Sequence, residues 1–223
     1  FPRTIPVGVH FGVILVVLDG IHCEVATFRT DGSYRDGRHP SEIHFGSPRE
    51  DALRRDFTIN GMFYDPLTGE VIDYVGGIED LRRCIIRAIG DPVCRFQEDK
   101  LRMMRAVRFA AQLGFSVDSA TYVALVELGS TVTQIAWERI GDELVRILTQ
   151  GSARRGYELL EASGLLRWIL PEVACAKHVS SPNPTSDELN DKLEHTLSIL
   201  EHLDELKEPT ETLALAAVLH DIS

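Results

Sequence analysis

The sequence predicts an α+β protein, with an antiparallel or mixed sheet in an amino-terminal head and an all-α neck and body after it. Short β-rich runs separated by turn-forming residues come first. From Phe96 onward, apolar residues such as Leu101, Met104 and Val107 recur every three or four positions, which is typical of amphipathic helices. Strands that precede a series of helices favour a segregated α+β arrangement over alternating βαβ units.

Two hairpins are predicted in the head. The runs Gly12 to Leu18 and Ile21 to Phe28 are separated by Asp19-Gly20, a dipeptide that accepts the positive φ angles of a tight turn. A second, shorter hairpin is predicted over Phe63 to Tyr74, with its turn at Asp65 to Gly69. The head should therefore contain at least two antiparallel strand pairs.

The rest of the chain is predicted as helices, several of which end near a glycine. The predicted segments are Phe96 to Leu113, Ser119 to Leu128, Ala136 to Leu148, Ser152 to Glu161, Glu188 to Leu206 and Glu211 to Asp221.

Two segments predict loops. Arg29 to Pro48 is rich in Gly, Asp, Arg and Pro and has no apolar period, so we expect a long mobile loop there. Pro171 to Asn190 is rich in Ser, Pro, Asn and Asp, which indicates a linker or surface loop at a domain boundary.

Composition excludes several classes of protein. A formal charge of −11 argues against a nonspecific nucleic-acid binder, because such proteins neutralise phosphates with Lys and Arg. Any RNA contact must come from a local basic surface. The four cysteines form no Cys-x-x-Cys pair, which fits a reducing cytoplasm. Phe11 to Leu18 is too short to span a bilayer, and no cleavable leader opens the chain, so no membrane partner is expected.

A polar helix face is the main candidate site. If Phe96 to Leu113 is one helix, Asp99, Arg102 and Arg105 lie within an arc of about 120°, with Arg108 near its border. Such residues often form exposed ion pairs worth a few tenths of a kcal/mol. The alternative is a binding role, because a carboxylate and a guanidinium on one face can read the hydrogen-bonding edge of a base, and arginine forks bind phosphate.

The segment Glu98 to Phe115 resembles the nucleotide-selection motif of the class II tRNA nucleotidyltransferase and bacterial poly(A) polymerase family. Further blocks match in the same order: Arg54 to Asn60 resembles the ribose-recognition motif, and Asp73 to Leu81 resembles the hinge motif, with Ile89-Gly90-Asp91-Pro92 before the selection segment. Glu24 to Arg29 resembles the strand that follows the catalytic carboxylates. The resemblance covers roughly residues 1 to 175.

The resemblance implies a role for each matching residue. Asp99 and Arg102 would pair with the incoming base, and Arg105 and Arg108 would hold its phosphates and sugar. The remaining implied residues are Arg55, Asp56 and Asn60 at the nucleotide, Asp73, Gly76 and Gly77 at the hinge, and Glu24 as an acidic catalytic group. Alternatives from the residues alone are a salt bridge from Asp56 to Arg54 or Arg55, a helix cap at Asp56, and an ordinary turn at Gly76-Gly77.

The metal site that the resemblance implies is incomplete in this sequence. Nucleotidyl transfer in this family uses Mg²⁺ ions held by an Asp-x-Asp pair, but no two acidic residues here stand two positions apart. Glu24 is the candidate ligand left in the head, with a solvent-facing strand residue as its alternative. We expect that the natural protein continues upstream and that this chain by itself does not polymerise.

The carboxyl-terminal part suggests a second chemistry. His195 followed by His220-Asp221 resembles the opening of an HD metal-dependent phosphohydrolase domain. Surface or packing histidines are the default interpretation. The predicted division is then a partial nucleotidyltransferase head (1–75), a helical neck and body for nucleotide selection and RNA binding (76–172), and a linker with the start of an HD-like domain (173–223).

The function expected from the resemblance is template-independent nucleotide addition to an RNA 3′ end, most simply tRNA CCA addition with CTP and ATP. The partners would be tRNA or another RNA 3′ end and nucleoside triphosphates. An A-adding enzyme or poly(A) polymerase is the enzymatic alternative. A non-catalytic nucleotide- or RNA-binding protein and an HD phosphohydrolase are the alternatives of other classes.

Overall fold

Antiparallel strands build the amino-terminal part of the computed structural model, which describes residues 3–8, 12–31, 43–176 and 186–220. Strands β1 (Arg3–Gly8), β2 (Val13–Leu18) and β3 (Ile21–Ala26) form a sheet in that order, with Leu15 opposite Glu24. The turn residues Asp19 and Gly20 both have positive φ, as a two-residue hairpin requires. The predicted first hairpin is confirmed.

The predicted loop over Arg29 to Pro48 is wrong at both ends. Strands β4 (Arg29–Asp31) and β5 (Ile43–Phe45) pair antiparallel, and helix α1 (Pro48–Leu53) begins at a capping box formed by Ser47 and Glu50. Strands of three residues are too short to show an alternating pattern. Residues 32–42 lie outside the described residues.

The predicted second hairpin is confirmed by strands β6 (Met62–Asp65) and β7 (Glu70–Asp73). The short helix α2 (Gly77–Arg82) follows it. Strands β8 (Ile85–Ile86) and β9 (Ser116–Val117) then pair in parallel across the intervening helices.

The remaining helices form the body, and among the described residues none is long and apolar enough to cross a membrane. They are α3 (Pro92–Glu98), α4 (Leu101–Leu113), α5 (Ser119–Leu128), α6 (Trp137–Thr149), α7 (Ala153–Ala162), α8 (Leu166–Ile169), α9 (Pro171–Ala176), α10 (Ser186–Asp204) and α11 (Glu211–Leu219).

The prediction of one continuous helix from Phe96 to Leu113 is wrong. Asp99 has extended backbone angles and separates α3 from α4, and its carboxylate accepts a hydrogen bond from the N–H of Leu101. Aspartate favours such a position because its side chain satisfies a free N–H at a helix start. The predicted separation of polar and apolar faces is also wrong, since Arg102 and Arg108 are buried.

Helix α4 lies at the centre of the body core. It packs against α6 and α7, and the fully buried side chains include Met103, Met104, Ile147 and Tyr157. A Cβ on Gly156 of α7 would collide with Ile147 of α6, so this glycine allows the two helices to approach closely. The base of the site described below is therefore a close-packed, rigid element.

Helix α10 docks on the body through the amino terminus of α7. The carboxylate of Asp204 accepts hydrogen bonds from the N–H groups of Ala153 (2.6 Å) and Arg154 (3.1 Å). A carboxylate is favourable there because the first N–H groups of a helix lack intrahelical partners and carry a partial positive charge.

We predict that Cys84→Gly stabilises the protein by about 0.5–1 kcal/mol, because Cys84 follows α2 with φ +57° and a side chain is disfavoured in the left-handed region. Gly114→Ala is the matched converse: φ is +68° with open space around the added Cβ, so stability should fall by about 1 kcal/mol. Urea unfolding midpoints measure both changes. A lower midpoint for Cys84→Gly would contradict the prediction.

Candidate functional site

Asp51 organises the arginines that follow α1. Its carboxylate is almost fully buried and accepts hydrogen bonds from Arg54 (2.6 and 2.9 Å), Arg55 (2.9 and 3.1 Å) and the backbone N–H of Arg29 (3.3 Å). Burial alone raises the pKa of Asp51, but these donors outweigh it and hold the pKa below its ordinary value. Both arginine side chains are thereby fixed by one residue, which the sequence analysis did not single out.

Asp56 joins this segment to α4. One carboxylate oxygen accepts from the Phe57 N–H (2.9 Å) and the Asn60 amide (3.1 Å), and the other pairs with Arg105 (2.6 and 2.8 Å). Burial raises the pKa of Asp56. The Arg105 charge and the hydrogen bonds lower it by a larger amount, so the pKa lies below its ordinary value. The partner is Arg105, not Arg54 or Arg55 as the alternative interpretation held.

Arg55 faces the same region. Its guanidinium donates to the Asn60 carbonyl (2.8 Å) and lies over the Phe63 ring, 4.8 Å from the centroid. About 36% of the side chain is exposed, so donors remain available to a ligand.

Arg102 connects α4 to the same turn from the other side. It donates to the Arg54 carbonyl (3.1 Å) and to the Glu98 carboxylate (2.8 Å). The structure thus brings together five of the seven residues proposed to bind the nucleotide, namely Arg55, Asp56, Asn60, Arg102 and Arg105.

Asp99 is held by a residue forty positions away. The Arg139 guanidinium on α6 contacts both oxygens of the Asp99 carboxylate, at 3.1 and 3.3 Å. Arg139 carries no local signal in the sequence, because the contact depends on how α6 packs beside α4.

Arg108 pairs with a residue of α6 and not with Asp56. It donates to Glu143 (2.7 Å), which is 3% exposed and also pairs with Arg146 (3.3 Å). Two of the three α4 arginines lie over the Phe109 ring, with centroid distances of 5.2 Å to Arg105 and 4.3 Å to Arg108. Both arginines predicted to hold phosphates therefore contact one aromatic side chain.

The cluster has more arginines than carboxylates. Eight guanidinium groups and five carboxylates take part, which leaves a local positive surplus within a chain of charge −11. This surplus of ion-paired guanidinium groups suits an anionic ligand. The arginines are Arg54, Arg55, Arg95, Arg102, Arg105, Arg108, Arg139 and Arg146, and the carboxylates are Asp51, Asp56, Glu98, Asp99 and Glu143.

The predicted hinge residues hold the start of α2. Asp73 accepts hydrogen bonds from the N–H groups of Val75, Gly76 and Ile78. Burial raises the pKa of Asp73, but these donors lower it by a larger amount, so the pKa lies below its ordinary value. Gly76 has φ +83°, whereas a Cβ on Gly77 would collide with the Thr58 carbonyl. Glycine is therefore favoured at these two positions for different reasons. Gly76 has left-handed backbone angles, and Gly77 approaches the Thr58 backbone closely.

An ion-pair bridge fixes the position of α2 relative to α5. Arg87 donates to Asp80 (3.0 Å) and to Asp118 (2.5 Å), and Asp80 also accepts from the Thr58 hydroxyl (2.8 Å). Arg87 has a raised pKa, caused first by its hydrogen bond to Asp80.

The remaining predicted site residues lie elsewhere. Glu24 is exposed on β3. His195 and His220 come together, with ring centroids 5.2 Å apart, but Asp221 lies outside the described residues. Within the described ranges, no three His, Cys, Asp or Glu side chains form a group that could bind a metal ion.

We predict that Asp56→Asn lowers the free energy of unfolding by about 2 kcal/mol at pH 7, because it leaves the Arg105 guanidinium, whose side chain is only about 30% exposed, without its counter-ion. Since the pKa of Asp56 is lowered in the folded state, its stabilising contribution is present above the unfolded value near 4 and is lost as pH falls through the folded value. Urea unfolding of both proteins should show the difference shrinking below pH 4.

Asp142→Asn on the exposed side of α6 is the control, and it should change stability by less than about 0.5 kcal/mol at either pH. A difference between wild type and Asp56→Asn that stays constant down to pH 3 would exclude the ionised pair as its source.

Two family models match the chain. Residues 1–87 match the poly A polymerase head domain, and residues 114–177 match the probable RNA- and SrmB-binding site of polymerase A. Both matches follow the order of the motifs.

Curated relatives match most of the chain. The CCA-adding enzyme of Anoxybacillus flavithermus is 44% identical over 178 residues, which cover 79% of this chain and 44% of the relative. That of Enterococcus faecalis is 47% identical over 157 residues, covering 70% of this chain and 38% of the relative. The chain thus spans less than half the length of these relatives.

Solved structures share the fold. The Bacillus stearothermophilus CCA-adding enzyme in complex with CTP aligns with a TM-score of 0.66 and 33% identity, covering all of this chain and 62% of that one. A tRNA-processing enzyme with CTP aligns with a TM-score of 0.72 and 25% identity, covering 99% and 56%.

Proposed function

We propose that this chain, which belongs to the class II tRNA nucleotidyltransferase and bacterial poly(A) polymerase family, selects CTP and ATP for template-independent addition to the 3′ end of tRNA. The observation that carries the proposal is the ion pair between Asp56 and Arg105, which joins the ribose-recognition segment to the selection helix. The matched relatives are CCA-adding enzymes, and both solved structures described above hold CTP. Cytoplasmic location is part of the proposal and agrees with four free cysteines.

The base is read by a carboxylate beside a guanidinium. Cytosine and adenine both present an amino donor next to a ring-nitrogen acceptor, whereas uracil presents a carbonyl acceptor next to an N–H donor. Asp99 accepts from the amino group and Arg102 donates to the ring nitrogen. Both bonds are lost with UTP, which explains how protein groups can replace a template.

The triphosphate and ribose are bound by the surrounding groups. We propose that Arg105 and Arg108 hold phosphates, for which the positive surplus of the cluster is suited. Asp56 and Asn60, which are hydrogen-bonded to each other, would contact the ribose, and Arg55 would contribute the exposed edge of its guanidinium. These roles depend on side chains that are already fixed by ion pairs, so little rotamer entropy is lost on binding.

Mg²⁺ is the ion proposed for the whole reaction, in which it would activate the tRNA 3′-hydroxyl and neutralise the leaving pyrophosphate. The described residues of this chain do not fit a Mg²⁺ site, because Glu24 is a single exposed carboxylate and no acidic group of three is present among them. The function proposed for this chain is therefore selection of the nucleotide.

We also propose the division of the chain into a head, a helical neck and body, and a linker with the start of an HD-like domain. Residues 1–75 contain the strand pairs up to β7, residues 76–172 contain the nucleotide-selecting helices, and residues 173–223 contain α10 and α11.

An A-adding enzyme is a second candidate, favoured by the match of residues 1–87 to a poly A polymerase head. Assays of the full-length enzyme on tRNA lacking its last three nucleotides separate the two. Incorporation of C and A supports CCA addition, and incorporation of A alone supports the second candidate.

We predict that Asp99→Ala and Arg102→Ala each reduce the preference for CTP over UTP by about tenfold or more, because each removes one of two paired hydrogen bonds. Isothermal titration of each nucleotide into the protein measures the ratio of the two Kd values. Asp142→Ala on an exposed position of α6 should leave the ratio unchanged. An unchanged ratio in both site variants would refute the assignment.

We predict that the purified 223-residue chain binds CTP and ATP but does not extend tRNA, because no two acidic residues in it have the spacing of the metal-binding pair. Extension is measured by gel electrophoresis of labelled tRNA in the presence of Mg²⁺. Observed extension would show that other residues of the chain hold the metal.

A further inference from the structure

Helix α6 supplies counter-ions to two residues of the selection segment Glu98 to Phe115: Arg139 pairs with Asp99, and Glu143 pairs with Arg108. No residue of α6 was predicted to belong to the site. We propose that Arg139 is a positioning residue that holds the Asp99 carboxylate in its base-reading orientation and so sets the discrimination between CTP and UTP. This inference rests on the proposed function.

The carboxylate of Asp99 is fixed at two points. Arg139 Nη2 lies 3.1 Å from Oδ2 and 3.3 Å from Oδ1, and Oδ1 also accepts from the Leu101 N–H at 3.1 Å. About a fifth of each charged side chain is exposed, so the pair is only partly screened by water. A charge-assisted contact of this kind orients the carboxylate.

The orientation matters because Asp99 and Arg102 are close and oppositely charged. Residues three apart at a helix start attract each other, and a direct pair would occupy both groups that read the base. The structure separates them: Asp99 pairs with Arg139, and Arg102 pairs with Glu98 (2.8 Å). Each base-reading group is thus held by its own partner.

The rigidity of α6 makes Arg139 suitable for this role. Ile140, Leu144 and Ile147 are buried in the core and anchor the helix. One helical turn after Arg139, Glu143 pairs with Arg108 (2.7 Å). The same helix thus presents a cation to the base-reading carboxylate and an anion to a phosphate-holding arginine.

The two contacts predict different defects. Removing the Arg139 charge frees Asp99 to turn towards Arg102, so base discrimination falls. Removing the Glu143 charge disturbs Arg108, which contacts groups common to all nucleoside triphosphates, so affinity for CTP, ATP and UTP should fall together.

The test is isothermal titration of CTP, ATP and UTP into the full 223-residue chain and its variants. We expect Arg139→Gln to reduce the CTP to UTP preference about tenfold. Arg139→Lys should restore most of it, because the ammonium still pairs with the carboxylate. Glu143→Gln should weaken the binding of all three nucleotides and leave the ratios of their Kd values unchanged. Glu138→Gln, an exposed charge removal at the adjacent position of α6, should alter neither affinity nor ratio.

An unchanged CTP to UTP ratio in folded Arg139→Gln overturns the proposal. Urea unfolding establishes the folded state. Should Arg139→Gln fail to fold, Arg139→Met carries the test, because it keeps the apolar stem of the side chain and removes the charge that pairs with Asp99, and an unchanged ratio there overturns the proposal as well. A wild-type chain that binds CTP and UTP equally instead contradicts the proposed function.

Discussion

A guanidinium that leaves water needs a counter-ion, and this constraint governs the body of the molecule. Removing one partner of a buried ion pair leaves an uncompensated charge, so each buried arginine restricts where its carboxylate can lie. Helix α4 carries three arginines, of which Arg102 and Arg108 are buried and Arg105 is about 30% exposed. Their partners come from three directions: Glu98 from α3, Asp56 from the turn after α1, and Glu143 from α6.

This pairing joins the strand-containing part of the chain to the helical body. Asp56 reaches α4 through Arg105, and Phe57 forms a β-bridge with Ala88 beside it. Arg87 adds a second bridge, between Asp80 and Asp118. The close approach of Gly77 to Thr58 brings α2 against the same turn. The residues proposed to select the nucleotide are therefore held on both sides, which is the preorganisation that a binding site needs.

The same ion pairs give the site its polarity. Each arginine is partly neutralised, yet the cluster keeps a positive surplus in an acidic protein. The arginines that Asp51 fixes lower the pKa of its carboxyl group. A positive cluster of this kind suits an anionic ligand without making the whole chain a nonspecific polyanion binder.

The sequence by itself determined the elements whose signal is local. Asp19-Gly20 specified the first hairpin because it accepts positive φ, and the apolar period predicted α6 over Ala136 to Leu148, close to its observed bounds Trp137–Thr149. The motifs also identified the family and six of the thirteen residues of the cluster. The break at Asp99 was missed because the apolar period continues across it, while the extended backbone of Asp99 ends α3 and its carboxylate accepts from the Leu101 N–H at the start of α4. Only the tertiary structure decided which carboxylate holds which arginine. Arg139 and Glu143 were missed because their ion pairs depend on the approach of separate elements, and spacing along the chain does not record that approach. Asp51 pairs with Arg54 and Arg55, three and four positions away, but its burial and its contact with the Arg29 N–H depend on the tertiary structure.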